Sequence, residues 1–322
     1  MDGGVLTDQE TAVYDRQIRV WGVDAQRRLS KSRVLVIGVT GVVAELCKNI
    51  VLAGIGSLSL MDDRDITSEA LSANFLIVAD ESKWKGKSIA EVCQDSLRDF
   101  NPMVHVSTEK GSLAEMAADF LDNFDAVVLG RASISTKKQV NEMCRNRPQR
   151  VAFYSVDCRG SSGEIFVDLQ NHTYNQKKTE EVPLQVGFPS LEEALSVHWS
   201  SLPRNTTKLY FAMRIVEAFE QDEGREPGDL SSADLPSLLN MRKKLCEEQG
   251  FAQSRIPDVL LQRIVDAGKR ELPPVCAIIG GILGQEVIKA MSCKGDPLKN
   301  FFLFDVMDGK GIIEDISNGD KN

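Results

Sequence analysis

Histidine is nearly absent from this chain. Only His105, His172 and His198 occur in 322 residues, each isolated, so no histidine-based ligand spacing exists and no zinc or other metal site is expected. The seven cysteines include no C-x-x-C pair, and an odd number scattered through apolar stretches reads as reduced thiols of an intracellular protein, not a disulfide framework. Basic excess is lacking as well. Lys and Arg total 38 against 47 Asp and Glu, a formal net charge of −9, which excludes an electrostatic footprint for nucleic acid. The most apolar long run, residues 275–291, is interrupted by Gln285, Glu286 and Lys289. It is expected to be a helix apolar nearly all round and buried, not a membrane span. The opening MDGGVLTDQE has neither the basic run nor the apolar core of a secretory leader. No internal repeat or low-complexity segment is visible.

What the chain does have is a strand–turn–helix–strand unit over residues 33–63. Val34, Leu35, Val36 and Ile37 form the continuous apolar run of a parallel strand buried on both faces. Gly38 and Gly41 make the turn. Val42, Val43, Leu46, Ile50 and Ala53 follow at helical spacing, Gly54 and Gly56 stop that helix, and 57–61 return as a strand ending at Asp62 and Asp63. This is a Rossmann-type unit, the ordinary place to seat a nucleotide phosphate on a helix N-terminus. The glycine fingerprint is damaged, however. Thr40 and Val43 stand at its second and third glycine positions, where a β-branched side chain narrows the approach to a phosphate and disfavours a positive φ. The fold signal survives; the binding signal does not.

Around this unit the chain reads in three parts. Residues 1–170 begin with a T-x-x-E capping box at Thr7 and Glu10, opening an amphipathic helix with Tyr14, Ile18 and Trp21 on one side. Strands at 104–106, 126–129, 151–156 and 164–169 then alternate with helices at 88–100, 113–121 and 137–145, the pattern of a doubly wound, mainly parallel α/β sheet. Residues 171–271 lose the strand pattern and read as a mostly helical insertion or second lobe, with helices at 206–221, 234–248 and 257–267. Residues 272–322 restart the core with the apolar helix, in which Gly280, Gly281 and Gly284 permit close approach. A hairpin turning at Asp308-Gly309 closes the sheet.

Three blocks together resemble one family: YDRQIRVWG (14–22), KNIVLAGIGSLSLMDD (48–63) within the Rossmann unit, and PPVCAIIGGILGQEVIKAMS (273–292). They are similar to the adenylating enzymes that activate ubiquitin and ubiquitin-like modifiers, and to their bacterial sulfur-carrier-activating relatives. The resemblance implies a Rossmann-like adenylation fold with a helical insertion lobe. In that family an active domain carries an intact glycine fingerprint, an Asp after the second strand for ribose, an Asn-x-x-Arg-Gln block, a Lys on the next helix and a magnesium-holding Asp. Here Ala73 replaces the arginine, Ile89 stands at the lysine position and Ala132 at the magnesium position. Asp62 or Asp63 remains, but without the cations a triphosphate has no charge-assisted donors. The family's catalytic cysteine context is missing too.

The resemblance therefore implies a non-catalytic half of a heterodimer, with no cofactor of its own. ATP and magnesium would be bound by the large catalytic partner subunit. Length, the 171–271 insertion, Val197-His198-Trp199-Ser200-Ser201 and the segment 300–305 (NFFLFD) place it nearest the branch that activates SUMO. The expected partners are the large catalytic subunit and, through the complex, SUMO, with nuclear residence inferred from the family. Arg16, in the Tyr-Asp-Arg-Gln motif, would act in trans on the ATP phosphates of the partner. Read from residue type alone, Arg16 would instead pair with Asp15 or Asp24. Cys158, at a strand end beside Arg159, is a candidate nucleophile, against the plainer reading of a buried thiol. Two rival functions remain: a stand-alone oxidoreductase using NAD through Asp62 or Asp63, and a homodimeric sulfur-carrier adenylyltransferase. Thr40 and Val43 oppose the first; Ala73, Ile89 and Ala132 oppose the second.

Overall fold

A computed structural model describes residues 6–117, 119–176 and 182–318. The chain opens with three short helices, α1 (Asp8–Val13), α2 (Asp15–Trp21) and α3 (Val23–Leu29). The capping box at Thr7 and Glu10 is formed. The single amphipathic helix expected here is broken at Tyr14 and at Gly22, whose φ of 92° suits glycine. Then follow β1 (Arg33–Ile37), α4 (Gly41–Ala53), β2 (Ser57–Met61), α5 (Ser68–Ala73), α6 (Ile89–Phe100), β3 (His105–Thr108), β4 (Ala126–Gly130), α7 (Ile134–Arg145), β5 (Ala152–Arg159) and β6 (Ser162–Asp168). The middle segment contains β7 (Asn171–Tyr174), β8 (Leu184–Gly187), α8 (Leu191–Ser196), α9 (Lys208–Asp222), α10 (Leu235–Glu248) and α11 (Asp258–Ala267). The chain ends with α12 (Pro273–Ser292), β9 (Phe301–Asp305) and β10 (Lys310–Glu314).

Eight strands form one sheet in the order β10-β9-β6-β5-β4-β1-β2-β3. The five from β5 to β3 run parallel, with Val36 flanked by Leu60 and Val128. β6, β9 and β10 add an antiparallel wing. Strand order reverses between β1 and β4, so the crevice at their carboxyl ends is the switch point where such sheets bind ligands.

Two cores cover the two faces. On one, α4, α6 and α12 pack their apolar sides on the sheet. A Cβ on Gly280 would stand 2.5 Å from the Val42 carbonyl, and one on Gly284 would stand 3.0 Å from Asn49 Cβ, so these glycines set how closely α12 lies on α4. Gly281 faces open space and plays no such part. α12 is long and apolar enough to cross a bilayer, with 67% of its most apolar window buried inside the protein. It is not buried all round as expected: Ala277 and Ile278 are exposed, Ile278 by 44%.

On the other face, Leu209, Phe211, Met213 and Val216 of α9 share a core with Leu35, Val127, Phe153 and Phe301 of the sheet. The helical insertion lobe is thus not a body apart. Residues 171–271 are mostly helical, with one hairpin (β7–β8), and α9 is the sheet's own second cover, because its apolar residues have no other core to enter. The helix expected over 113–121 is replaced by two 3₁₀ turns, Leu113–Glu115 and Phe120–Asn123, with Leu113 and Leu121 as anchors. So short an amphipathic run is marginal as an α-helix unless packing holds it. Phe100 is not an inward residue of α6; it is exposed and sits edge-on to Phe75 at 6.4 Å.

Candidate functional site

The damaged turn is built as the sequence demands, but its donors are already engaged. Gly38 takes φ 78° between β1 and α4, a left-handed conformation open to glycine. Thr40 is the N-cap residue of α4 with φ −77°, so its β-branch meets no backbone conflict, contrary to the expected one. Space is what closes the turn. A Cβ on Gly41 would stand 2.8 Å from both Cβ and the carbonyl of Ala73 and 2.7 Å from the Glu271 carboxylate. Val43 is fully buried and fills the gap toward Gly130 on β4. Ile89, first in α6, is buried and lines the cleft beside the turn. The structure therefore gathers Thr40, Val43, Ala73 and Ile89 around one turn, with Ala132 across the switch-point crevice from them.

The turn's amides point to carboxylates of the same chain. Val39 N–H donates to Asp62 Oδ2 at 2.7 Å, and Gly41 N–H donates to Glu271 Oε2 at 2.6 Å. Asp62, the residue a dinucleotide's ribose would need, also holds Arg64 through two bonds of 2.8 and 2.7 Å. Asp63 is exposed and accepts from Gly111 N–H. Arg131 lies 3.5 Å from Glu271 Oε1 and donates to Asp157 and to the carbonyls of Lys269 and Cys158. Burial pushes the Glu271 carboxyl up, opposed by Arg131 and the Gly41 N–H. A nucleotide phosphate does not fit this turn: a carboxylate stands at the helix N-terminus, and Arg64 and Arg131 are tied to acids.

Arg16 stands in contrast. Tyr14, two residues earlier, is buried against Gly54, and its hydroxyl accepts from Asn101 at 2.8 Å. Gln17, one residue later, donates to the Leu52 carbonyl. Between these two pins Arg16 is exposed and has no hydrogen bond or ion pair among the described residues. Its two expected partners are occupied elsewhere, Asp15 by Arg19 at 2.8 Å and Asp24 by Arg27 at 3.1 Å.

A family model described as the ThiF family matches residues 14–321, nearly the whole of this sheet and its covers. The chain belongs to the ThiF family. Within it, this chain is 62% identical over 319 residues to "SUMO-activating enzyme subunit 1B-1" of Arabidopsis thaliana, covering 99% of each. It is 34% identical over 343 residues to "SUMO-activating enzyme subunit 1" of Homo sapiens, covering 97% of this chain and 96% of that one. A crystal structure of PaaA superposes with a TM-score of 0.59 at 15% identity, over 98% of this chain and 76% of that one, a likeness of fold alone.

The other candidates of this ThiF-family chain are engaged internally. Cys158 is fully buried; its contact with Cys276 and burial push its thiol well above the ordinary range. Arg159 beside it binds Asp157 and Glu220 instead. Cys158, Cys276 and Glu271 bring ligand atoms within 4.8 Å of one another. The Arg131 guanidinium at Glu271 and the raised Cys158 thiol make this cluster a poor cation site. Sequence reasoning missed Glu271 and Arg131. Arg131 follows directly on β4 at the switch point, a position that could have singled it out. Glu271 lies 230 residues from Gly41 and gave no signal.

Proposed function

We propose that this chain is the small, non-catalytic subunit of a heterodimeric SUMO-activating enzyme. Its partner, the large subunit, would bind MgATP and adenylate the SUMO C-terminal glycine. The carboxylate attacks the α-phosphorus and pyrophosphate leaves. A cysteine thiolate of the partner then displaces AMP to give a thioester. This chain would contribute Arg16 to the partner's site, where a guanidinium stabilises charge on the phosphates. Nuclear residence, with import depending on the partner, goes with this reading.

The observation that carries it is the free, pinned Arg16 in a chain whose own phosphate turn is filled by Glu271. The similarity to SUMO-activating enzyme subunits 1 supports the choice of modifier. An NAD-dependent oxidoreductase is disfavoured because Asp62 is engaged by Val39 and Arg64.

The test is SUMO-stimulated ATP–pyrophosphate exchange. The lone chain should be silent, and the chain with the large subunit active. Arg16→Ala should lower exchange at least about 10²-fold with dimer formation unchanged, given what an arginine in trans supplies to phosphate chemistry. Exchange by the lone chain, or an Arg16→Ala complex with full activity, refutes the proposal.

A further inference from the structure

The helix that follows the first strand of a Rossmann unit carries partial positive charge at its N-terminus, and in nucleotide-binding proteins an anion sits there. Here α4 has 13 residues, and the anion at its first amide is the Glu271 side chain, 2.6 Å from Gly41 N. That side chain is fixed by backbone on both flanks. Glu271 pairs with Gly160 in an isolated bridge, Gly160 N–H donates to the Arg270 carbonyl, and Leu272 caps α12. Glu271 is 7% exposed. Its second oxygen, Oε1, has no hydrogen-bond partner among the described residues and faces Arg131 at 3.5 Å. The Thr40 hydroxyl beside it is turned toward the same carboxylate. A cleft of about 630 Å³ adjoins the pair, lined in part by Thr40, Arg64, Arg131 and Lys269. An N-terminus, a guanidinium and a hydroxyl converging on one point make an anion site, and the chain fills it with its own carboxylate.

We propose that Glu271 is a built-in substitute for a phosphate, and that removing its carboxylate opens a binding site for a phosphate-sized inorganic anion at the α4 N-terminus. The proposal deepens the reading of this chain as a half that holds no nucleotide, and rests on it. The substitute does more than block. Through Arg131, Asp157, Arg159 and Glu220 the carboxylate joins the glycine turn to α9 on the opposite face of the sheet. This contact forms on folding, from the chain's own side chains.

Chemical rescue of the full chain tests the proposal, with inorganic phosphate as the probe against chloride at matched ionic strength. Glu271→Ala should melt lower than wild type by roughly 2–4 °C in chloride, from the loss of a charge-assisted bond. Phosphate at tenfold excess over its dissociation constant should return about 2 °C of this beyond any shift it produces in wild type. Glu271→Gln fills the same space and keeps an acceptor for Gly41, so it should show no phosphate-specific shift. Equal phosphate responses of wild type and Glu271→Ala, or a Glu271→Gln response matching that of Glu271→Ala, overturn the proposal. Should Glu271→Ala fail to fold in chloride, its refolding yield in phosphate carries the test: a yield no better than in chloride overturns it. These measurements use neither ATP nor SUMO nor the partner, so they fail or succeed independently of pyrophosphate exchange.

Discussion

Replacing Arg159 by Met should destabilise the chain more than any surface substitution, through the charges it leaves behind. Arg159 is 1% exposed on β5. Its guanidinium bonds Asp157 at 2.7 Å and grips Glu220 of α9 with two bonds of 2.5 and 2.9 Å. Breaking a buried pair from one side costs about 3–5 kcal/mol, because the remaining carboxylate stays dry and uncompensated. Asp157 keeps Arg131 at 3.2 Å and Glu220 keeps the Gly228 N–H at 2.7 Å, which argues for the low end, about 3 kcal/mol. At a urea m-value of about 3 kcal/mol/M the unfolding midpoint falls by about 1 M. Adding Glu220→Gln removes the stranded charge and keeps an acceptor for Gly228, so the double variant should recover about 1 kcal/mol or more of the loss. The pH dependence supplies a second reading. Burial alone would push the Asp157 carboxyl up, but Arg159 and then Arg131 hold it far below the usual range. That depressed value stabilises the fold above the unfolded carboxyl's pKa and is lost as pH falls below it, so wild type should lose stability on acidification below about pH 4 more steeply than Arg159→Met. A midpoint shift under about 0.3 M, or a double variant no more stable than the single, refutes the reasoning.

The glycines of α12 should separate cleanly. Gly280→Ala places a Cβ 2.5 Å from the Val42 carbonyl and should cost about 1–3 kcal/mol as α12 is pushed off α4, whereas Gly281→Ala meets open space and should gain about 0.5–1 kcal/mol of helix stability. Urea midpoints of the two variants should move in opposite directions. All seven thiols are free, and only Cys293 is not buried. A disulfide-exchange reagent should therefore titrate at most that one quickly in the native chain and all seven in denaturant, and fast reaction of Cys158 would reopen its candidacy as a nucleophile.

Elements with strong periodicity were legible in the sequence. Ile89, Val92, Cys93 and Leu97 do line the inner side of α6, and Asn101 does end it. The Rossmann unit is read almost residue for residue. The failures have physical causes. Leu113 and Leu121 are spaced as for a helix, yet with two anchors a 3₁₀ turn at each satisfies the same burial. α12 looks buried all round because an apolar residue left exposed and one facing the core are written in the same alphabet. The helical middle segment reads as a lobe because loss of strand pattern marks a change of element, not of core. At the site, the substitutions at Thr40, Val43 and Ala73 say that the turn is closed to phosphate, but not what fills it. Glu271 reaches Gly41 only after the whole chain has come round.

The short helix bearing Arg16 has a further consequence. A long flexible cation that must find its target after two proteins meet gives up backbone and side-chain freedom at that moment. Here Tyr14 and Gln17 are fixed to α4 and to the end of α6 before any encounter. The backbone ordering cost at Arg16 is therefore charged to the folding of one subunit, leaving only side-chain torsions to settle on association. Under the proposed function, the guanidinium would arrive at the partner's phosphates at a high effective concentration that depends on the integrity of Tyr14, pinned to Asn101. Loosening Tyr14 would dilute Arg16 without touching it.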